Sequence, residues 1–141
     1  LKCMVELKVV INDTKTGKSY QKVISENEAH IFSGLKIRSK VSGNSLGLDG
    51  YELEIRGGSD NAGFPMRFDI DGFGRKKPYV SHGPGVRGLK HGQKTRKTII
   101  GNTVSSSLHQ INLKIIKHGS KSVEDCLGIK PKESSEEARK E

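Results

Sequence analysis

The sequence predicts an all-β protein, a small antiparallel β-barrel with one short helix, a long basic loop and a polar C-terminal tail. Three observations lead there. Apolar and polar residues alternate in short runs, as on strands with one buried face. Glycine-rich stretches join those runs. No segment carries the amphipathic pattern of roughly 10–15 residues that the helices of a doubly wound sheet would need. The same signals also fit a β-sandwich. At 141 residues the chain has the length of one domain, and its 35 Leu, Ile, Val and Phe residues allow a thin core. The expected division is a β domain over 4–128 and a flexible charged tail over 129–141.

Each element follows from local chemistry. In Val5–Ile11, Val5, Leu7, Val9 and Ile11 point one way and Glu6, Lys8 and Val10 the other. The turn-forming stretch Asn12 to Gly17 leads to a returning strand over Lys18–Ile24. Ser25 and Glu28 have the spacing of a capping box, which predicts a short helix to about Ser33, closed by Gly34. Leu35–Val41 and Tyr51–Ile55 read as strands, with Gly43–Gly50 as the turn between them. Thr98–Val104 is β-branched and strand-like. Leu108–Lys117 puts Ile111, Leu113 and Ile115 on one face, and Ser122–Leu127 has room for one helical turn. From Lys130 onward Ala138 is the single apolar side chain among four basic and four acidic residues, so this end reads as a solvated tail.

Charge is the most uneven property of the chain. Residues 1–60 carry a net +1, residues 61–100 a net +7 and residues 101–141 a net +1. From Gly74 to Lys97 there are eight Lys/Arg and no Asp or Glu, with five glycines and two prolines. Like charges held together repel unless a polyanion lies against them, so this segment points to nucleic acid. Arg67, Arg75, Lys76, Lys77, Arg87, Lys90, Lys94, Arg96 and Lys97 are the expected RNA contacts, Arg as a planar fork for phosphate oxygens and Lys as a mobile point charge. The loop holds little exposed aromatic surface beyond Tyr79, which favours folded RNA read through shape and phosphate. Its glycines and repelling charges also predict that it needs RNA to become ordered.

Other chemistry is weakly supported. Gly83-Pro84-Gly85-Val86-Arg87-Gly88 matches a dinucleotide fingerprint in spelling, but the following Leu89 to Lys94 has no helical apolar stripe. His82, His91, His109 and His118 are too widely spaced for a paired metal motif. Asp69 and Asp71 alternate on an extended stretch and define the rival reading, a metal-dependent nucleic-acid-processing enzyme. A free-standing RNA-binding module is a further rival. Cys3 and Cys126 lack CxxC spacing and suit a reduced compartment. No apolar stretch approaches the roughly 20 residues of a membrane span. The expectation is an intracellular protein without cofactor, metal, membrane contact or small-molecule substrate.

The most distinctive string is Gly57-Gly58-Ser59-Asp60-Asn61-Ala62-Gly63-Phe64-Pro65-Met66-Arg67. Its glycines permit tight turns, Asp60 can cap them, and Phe64, Pro65 and Met66 read as an apolar anchor docked on the β domain. Together with Leu48-Asp49-Gly50-Tyr51, Gly83-Pro84-Gly85 with Arg87, Arg96-Lys97-Thr98, Gly101-Asn102-Thr103 and Gln110-Ile111-Asn112-Leu113-Lys114, this string resembles the eukaryote-type ribosomal protein six of the small subunit. That family is shared by archaea and eukaryotes, and the short tail resembles its archaeal form. The likeness covers about residues 4–128. Val86, Gly88, Thr95 and Ile100 depart from the usual family residues. The resemblance implies a small β-barrel, a structural role without catalysis, and cytoplasmic work in the small ribosomal subunit. Its implied partners are small-subunit ribosomal RNA and neighbouring ribosomal proteins.

Overall fold

The structure, a computed structural model, describes residues 7–128. Val5 and Glu6 of the expected first strand, Cys3, and the expected tail over 129–141 lie outside the described residues. Strands dominate. β1 (Leu7–Asn12) and β2 (Ser19–Ile24) form an antiparallel hairpin in continuous register from Leu7↔Ile24 to Asn12↔Ser19. Its turn is organised by Asp13, whose carboxylate accepts the Lys15 amide at 2.8 Å and the Thr16 hydroxyl at 2.9 Å. α1 (Glu26–Ala29) follows, with Glu28 reaching back to the Ser25 amide at 3.4 Å. β3 (Lys40–Ser42), a 3-10 turn over Gly43–Leu46 and the long β4 (Glu52–Asp60) come next.

β9 (Leu108–Lys117) is the centre of a five-stranded sheet of order β2-β1-β9-β4-β3. Alternation decides its faces. Leu7, Val9 and Ile11 of β1, Leu53 and Ile55 of β4, and Ile111, Leu113 and Ile115 of β9 are all buried in one cluster, joined by Phe32, Leu46, Leu48 and Met66. α2 (Val123–Leu127), capped by Ser122 and Gly128, is tied to the hairpin through Glu124, which meets Lys18 and Tyr20, both at 2.9 Å.

Several expectations change. Among the described residues there are two short α-helices instead of one, the second at the Ser122–Leu127 turn. The β1–β9 pair is parallel, so the sheet is not wholly antiparallel. The hydrogen-bonded ladders end at β2 and β3, leaving the described sheet open instead of closed into a barrel. Leu35–Val41 yields a strand only from Lys40, because two partners pull the segment apart. The Ile37 amide donates to the Asn102 carbonyl and Lys36 bridges Thr103, whereas the Arg38 amide donates to Ile55. The chain turns between them with Arg38 at φ +74°. Gly57, Gly58, Ser59 and Asp60 are strand, not loop. β4 runs through them with a register shift between Ile55 and Gly57. Gly58 is required there by close approach, since a Cβ would collide with the Gln110 carbonyl and press on the Met66 sulfur. Thr98–Val104 is strand only at Ile99–Ile100; beyond it, the amides of Asn102 and Val104 donate to Ile70 and Leu35.

Candidate nucleic-acid interface

The basic segment is a single interrupted hairpin. β5 (Arg75–Lys76) pairs with β8 (Ile99–Ile100), and β6 (Tyr79–Val80) pairs with β7 (Thr95–Arg96). All four pairs keep one register. The break falls at Pro78, which has no amide to give; its carbonyl still accepts the Lys97 amide at 3.4 Å. The segment expected to depend on RNA for order thus has a hydrogen-bonded stem, with a glycine-jointed tip over residues 81–94.

The nine expected contacts separate into three groups. Arg67 is held inside, with its side chain 8% exposed. Its fork is occupied bidentately by Asp69 at 2.9 and 2.8 Å, and its remaining nitrogen donates to the His82 carbonyl at 2.8 Å. The Asp69 bonds raise the Arg67 pKa further, and the guanidinium in turn holds the Asp69 carboxyl below its ordinary value. Arg67 therefore clamps the tip to the body. Gly83 packs so closely on this guanidinium that a Cβ would lie 2.9 Å from Nη1.

Arg75 and Lys76 form a second, partly engaged group. The Arg75 Nε donates to Asp60 at 2.6 Å and the guanidinium lies 5.0 Å from the Phe64 ring centroid, while half of the side chain stays exposed. Asp60 is buried and its pKa is lowered, first by that Arg75 bond and then by the Ala62 amide, so one carboxylate both caps the turn to Gly63 and receives the stem. Phe64 is half-buried against the core, Met66 is fully inside it, and Pro65 bridges Ser59. The Lys76 ammonium donates to the Asp71 carbonyl.

Lys77, Arg87, Lys90, Lys94, Arg96 and Lys97 form the third group. All six are exposed, and none has a carboxylate partner among the described residues. They supply the field that an external polyanion would meet. The two aspartates of the rival metal reading are already engaged, Asp69 by Arg67, and Asp71 by Lys36 at 3.3 Å and Asn102 at 2.8 Å. Among the described residues no group of three or more His, Cys, Asp or Glu could hold a metal ion. No helix among them is long and apolar enough to cross a membrane.

Three residues escaped the sequence reading. Phe68 and Phe73 stand 55% and 64% exposed just before the stem, and the Arg38 guanidinium lies over the Phe68 ring, 4.6 Å from its centroid. The two phenylalanines bracket Asp69, Asp71 and Gly72, and these polar and turn-forming neighbours were the available signal. Nothing local ties Arg38 to them.

A family model described as ribosomal protein S6e matches residues 7–128. The chain is 40% identical to the small ribosomal subunit protein eS6 of Methanocaldococcus jannaschii over 134 residues, covering 95% of this chain and 100% of that one. It is also 40% identical to the eS6 protein of Methanosphaera stadtmanae, covering 92% and 98%. With the eS6 protein of Halobacterium salinarum it shares 38% identity, covering 89% and 95%. By this match over most of its length, the chain belongs to the ribosomal protein S6e family.

Proposed function

We propose that this chain is a structural, non-catalytic constituent of the small ribosomal subunit, working in the cytoplasm by gripping ribosomal RNA with its basic arm. The observation that carries the reading is the set of six exposed cations without carboxylate partners among the described residues, Lys77, Arg87, Lys90, Lys94, Arg96 and Lys97, on one hairpin of a family member. Arg75 and Lys76 extend the contact at the stem. Arg67 belongs to the scaffold that aims the arm. Each phosphate neutralised would lower log K by roughly 0.7–0.9 for each decade of salt. Neighbouring ribosomal proteins are the expected partners of the remaining surface.

The barrel reading belongs here as well. The Lys22 ammonium on β2 donates to the Leu46 carbonyl just after β3 at 2.9 Å, and this contact supports a sheet curled until its two edges approach. Asp69 and Asp71, spent on internal partners, give the enzyme alternative no support.

Sucrose-gradient fractionation after a high-salt wash tests the main reading. Retention with small subunits is the expected result. Recovery at the top of the gradient, free of particles, would overturn it and favour a module that acts outside the ribosome.

A further inference from the structure

This chain has seven aromatic residues, and three stand more than half exposed within a short span, Phe68, Phe73 and Tyr79. An exposed Phe forgoes the stabilisation of burial, so two on one loop ask for a partner. The loop that carries them is firmly tied. The Gly101, Asn102 and Thr103 amides donate to Gly74, Ile70 and Gly72, and the Asn102 side chain donates to the Phe68 carbonyl at 3.3 Å and to Asp71. At Gly101 a Cβ would collide with the Gly72 carbonyl, so the loop and the segment just after β8 are in backbone contact. The rings are displayed by a braced support.

Arg38 adds the second observation. It is the one non-glycine residue with positive φ among the described residues, at +74°. An L-residue with a long side chain adopts that conformation at a cost, and such strain collects where a side chain must be aimed. Here it lays a planar cation on Phe68, 4.6 Å from the centroid. Phe68 is still 55% exposed with the guanidinium over its ring, which leaves aromatic surface for a further partner. Arg75 over Phe64 repeats the pairing of arginine with an aromatic ring.

We propose that Phe68 and Arg38 form a stacking platform for an unpaired nucleobase of the RNA, with Phe73 as a second ring on the same loop. The inference rests on the RNA reading of the basic arm. Charge favours a nucleotide over an apolar protein pocket. Arg75, Lys76 and Lys77 lie just beyond the loop, and the two nearby carboxylates, Asp69 and Asp71, are matched internally by Arg67 and Lys36. A base would find a π-face and a guanidinium plane, with cations for its phosphates.

The chain contains no Trp, so Phe68→Trp creates a unique fluorophore at the platform. The full-length variant is titrated with a single-stranded oligoadenylate and, separately, with inorganic polyphosphate, which carries the charge but no base. Oligoadenylate should quench the emission strongly, and polyphosphate should bind while leaving it nearly unchanged. Phe68→Ala should weaken oligoadenylate binding about tenfold and leave polyphosphate binding unaltered. Arg38→Lys, which keeps the charge and loses the plane, should move in the same direction. Bound oligoadenylate without quenching, or equal losses for both polyanions, would overturn the platform while the arm's reading survives. An emission that ignores oligoadenylate but shifts when the protein enters small subunits would assign the ring to a neighbouring protein and also overturn it. Failure to bind either polyanion would overturn the RNA reading itself, and the platform with it.

Discussion

The base and the tip of the basic hairpin are built from the same residue types and do opposite work with them. At the base, Arg67 and Arg75 meet Asp69 and Asp60, and Lys36 meets Asp71, so cations there hold the chain to itself. Beyond it, Lys77, Arg87, Lys90, Lys94, Arg96 and Lys97 have no such partner among the described residues. Three aspartates, two of them the only acidic residues between 61 and 100, divide one run of charge into a foundation and an exposed remainder. A count of charges therefore overstates the field offered to RNA. What matters is how many cations are left after the fold has used its share.

The comparison can be broken most decisively at the tip. Replacing the six cations left unpaired among the described residues, three on the tip and three along the stem, with Gln should weaken binding to small-subunit RNA at least about a thousandfold and lower the salt slope by about 4 or 5. The melting temperature should hardly move. An unchanged slope in filter binding across salt concentrations would show that these side chains do not meet phosphate.

Glycine substitutions separate the two regions sterically. Gly101→Ala at the base drives a Cβ into the Gly72 carbonyl and should cost about 3 kcal/mol or more in chemical denaturation. Gly88→Ala at the tip meets nothing within 4 Å and carries only the left-handed penalty at φ +73°, about 1 kcal/mol. Equal costs would erase the distinction.

Arg67→Ala removes a buried fork and leaves the His82 carbonyl and Asp69 short of a donor. Because Asp69 is itself 41% exposed, the expected loss is about 2 kcal/mol. Arg87→Ala should fall within about 0.5 kcal/mol, as for an isolated surface change. Acid sharpens the same point. Asp60 and Asp69 have folded pKa values below their ordinary 3.8, each chiefly because an arginine bonds the carboxylate. They contribute stability above 3.8, and that contribution is lost as pH falls through the folded values. Thermal melts across that window should decline less steeply for Asp69→Asn than for the parent.

The smallest effect belongs to Arg38. Arg38→Gly relieves the positive φ and should leave stability unchanged or raise it by up to about 1 kcal/mol, while binding of single-stranded RNA weakens. A loss of stability would instead make Arg38 part of the scaffold.

Much of the sheet could be read locally. Leu108–Lys117 is a strand over the expected bounds, because Ile111, Leu113 and Ile115 write one buried face at period two into the residues themselves. The hairpin of β1 and β2 follows from alternation in the first strand and the Asp-containing turn after it. The Gly57–Asp60 stretch was misread because glycine suggests a turn. Gly58 is there instead so that the Gln110 carbonyl can approach, a requirement set by a strand about fifty residues later. In sequence Arg67 reads as an RNA contact because it lies at the edge of the most basic part of the chain. Its actual neighbours are Asp69 and the carbonyl of His82, reached only when the tip folds back.

By itself the sequence determined the strand-rich class, the centre of positive charge and, through its distinctive glycine string, the family, since each resides in residue type and short spacing. Tertiary structure alone decided which cations remain free, that β1 and β9 run parallel, and that Arg38 lies over Phe68. The physical reason is range. Period and charge act between neighbours along the chain, whereas ion pairs, close backbone approach and ring stacking depend on distances that exist only after distant segments meet.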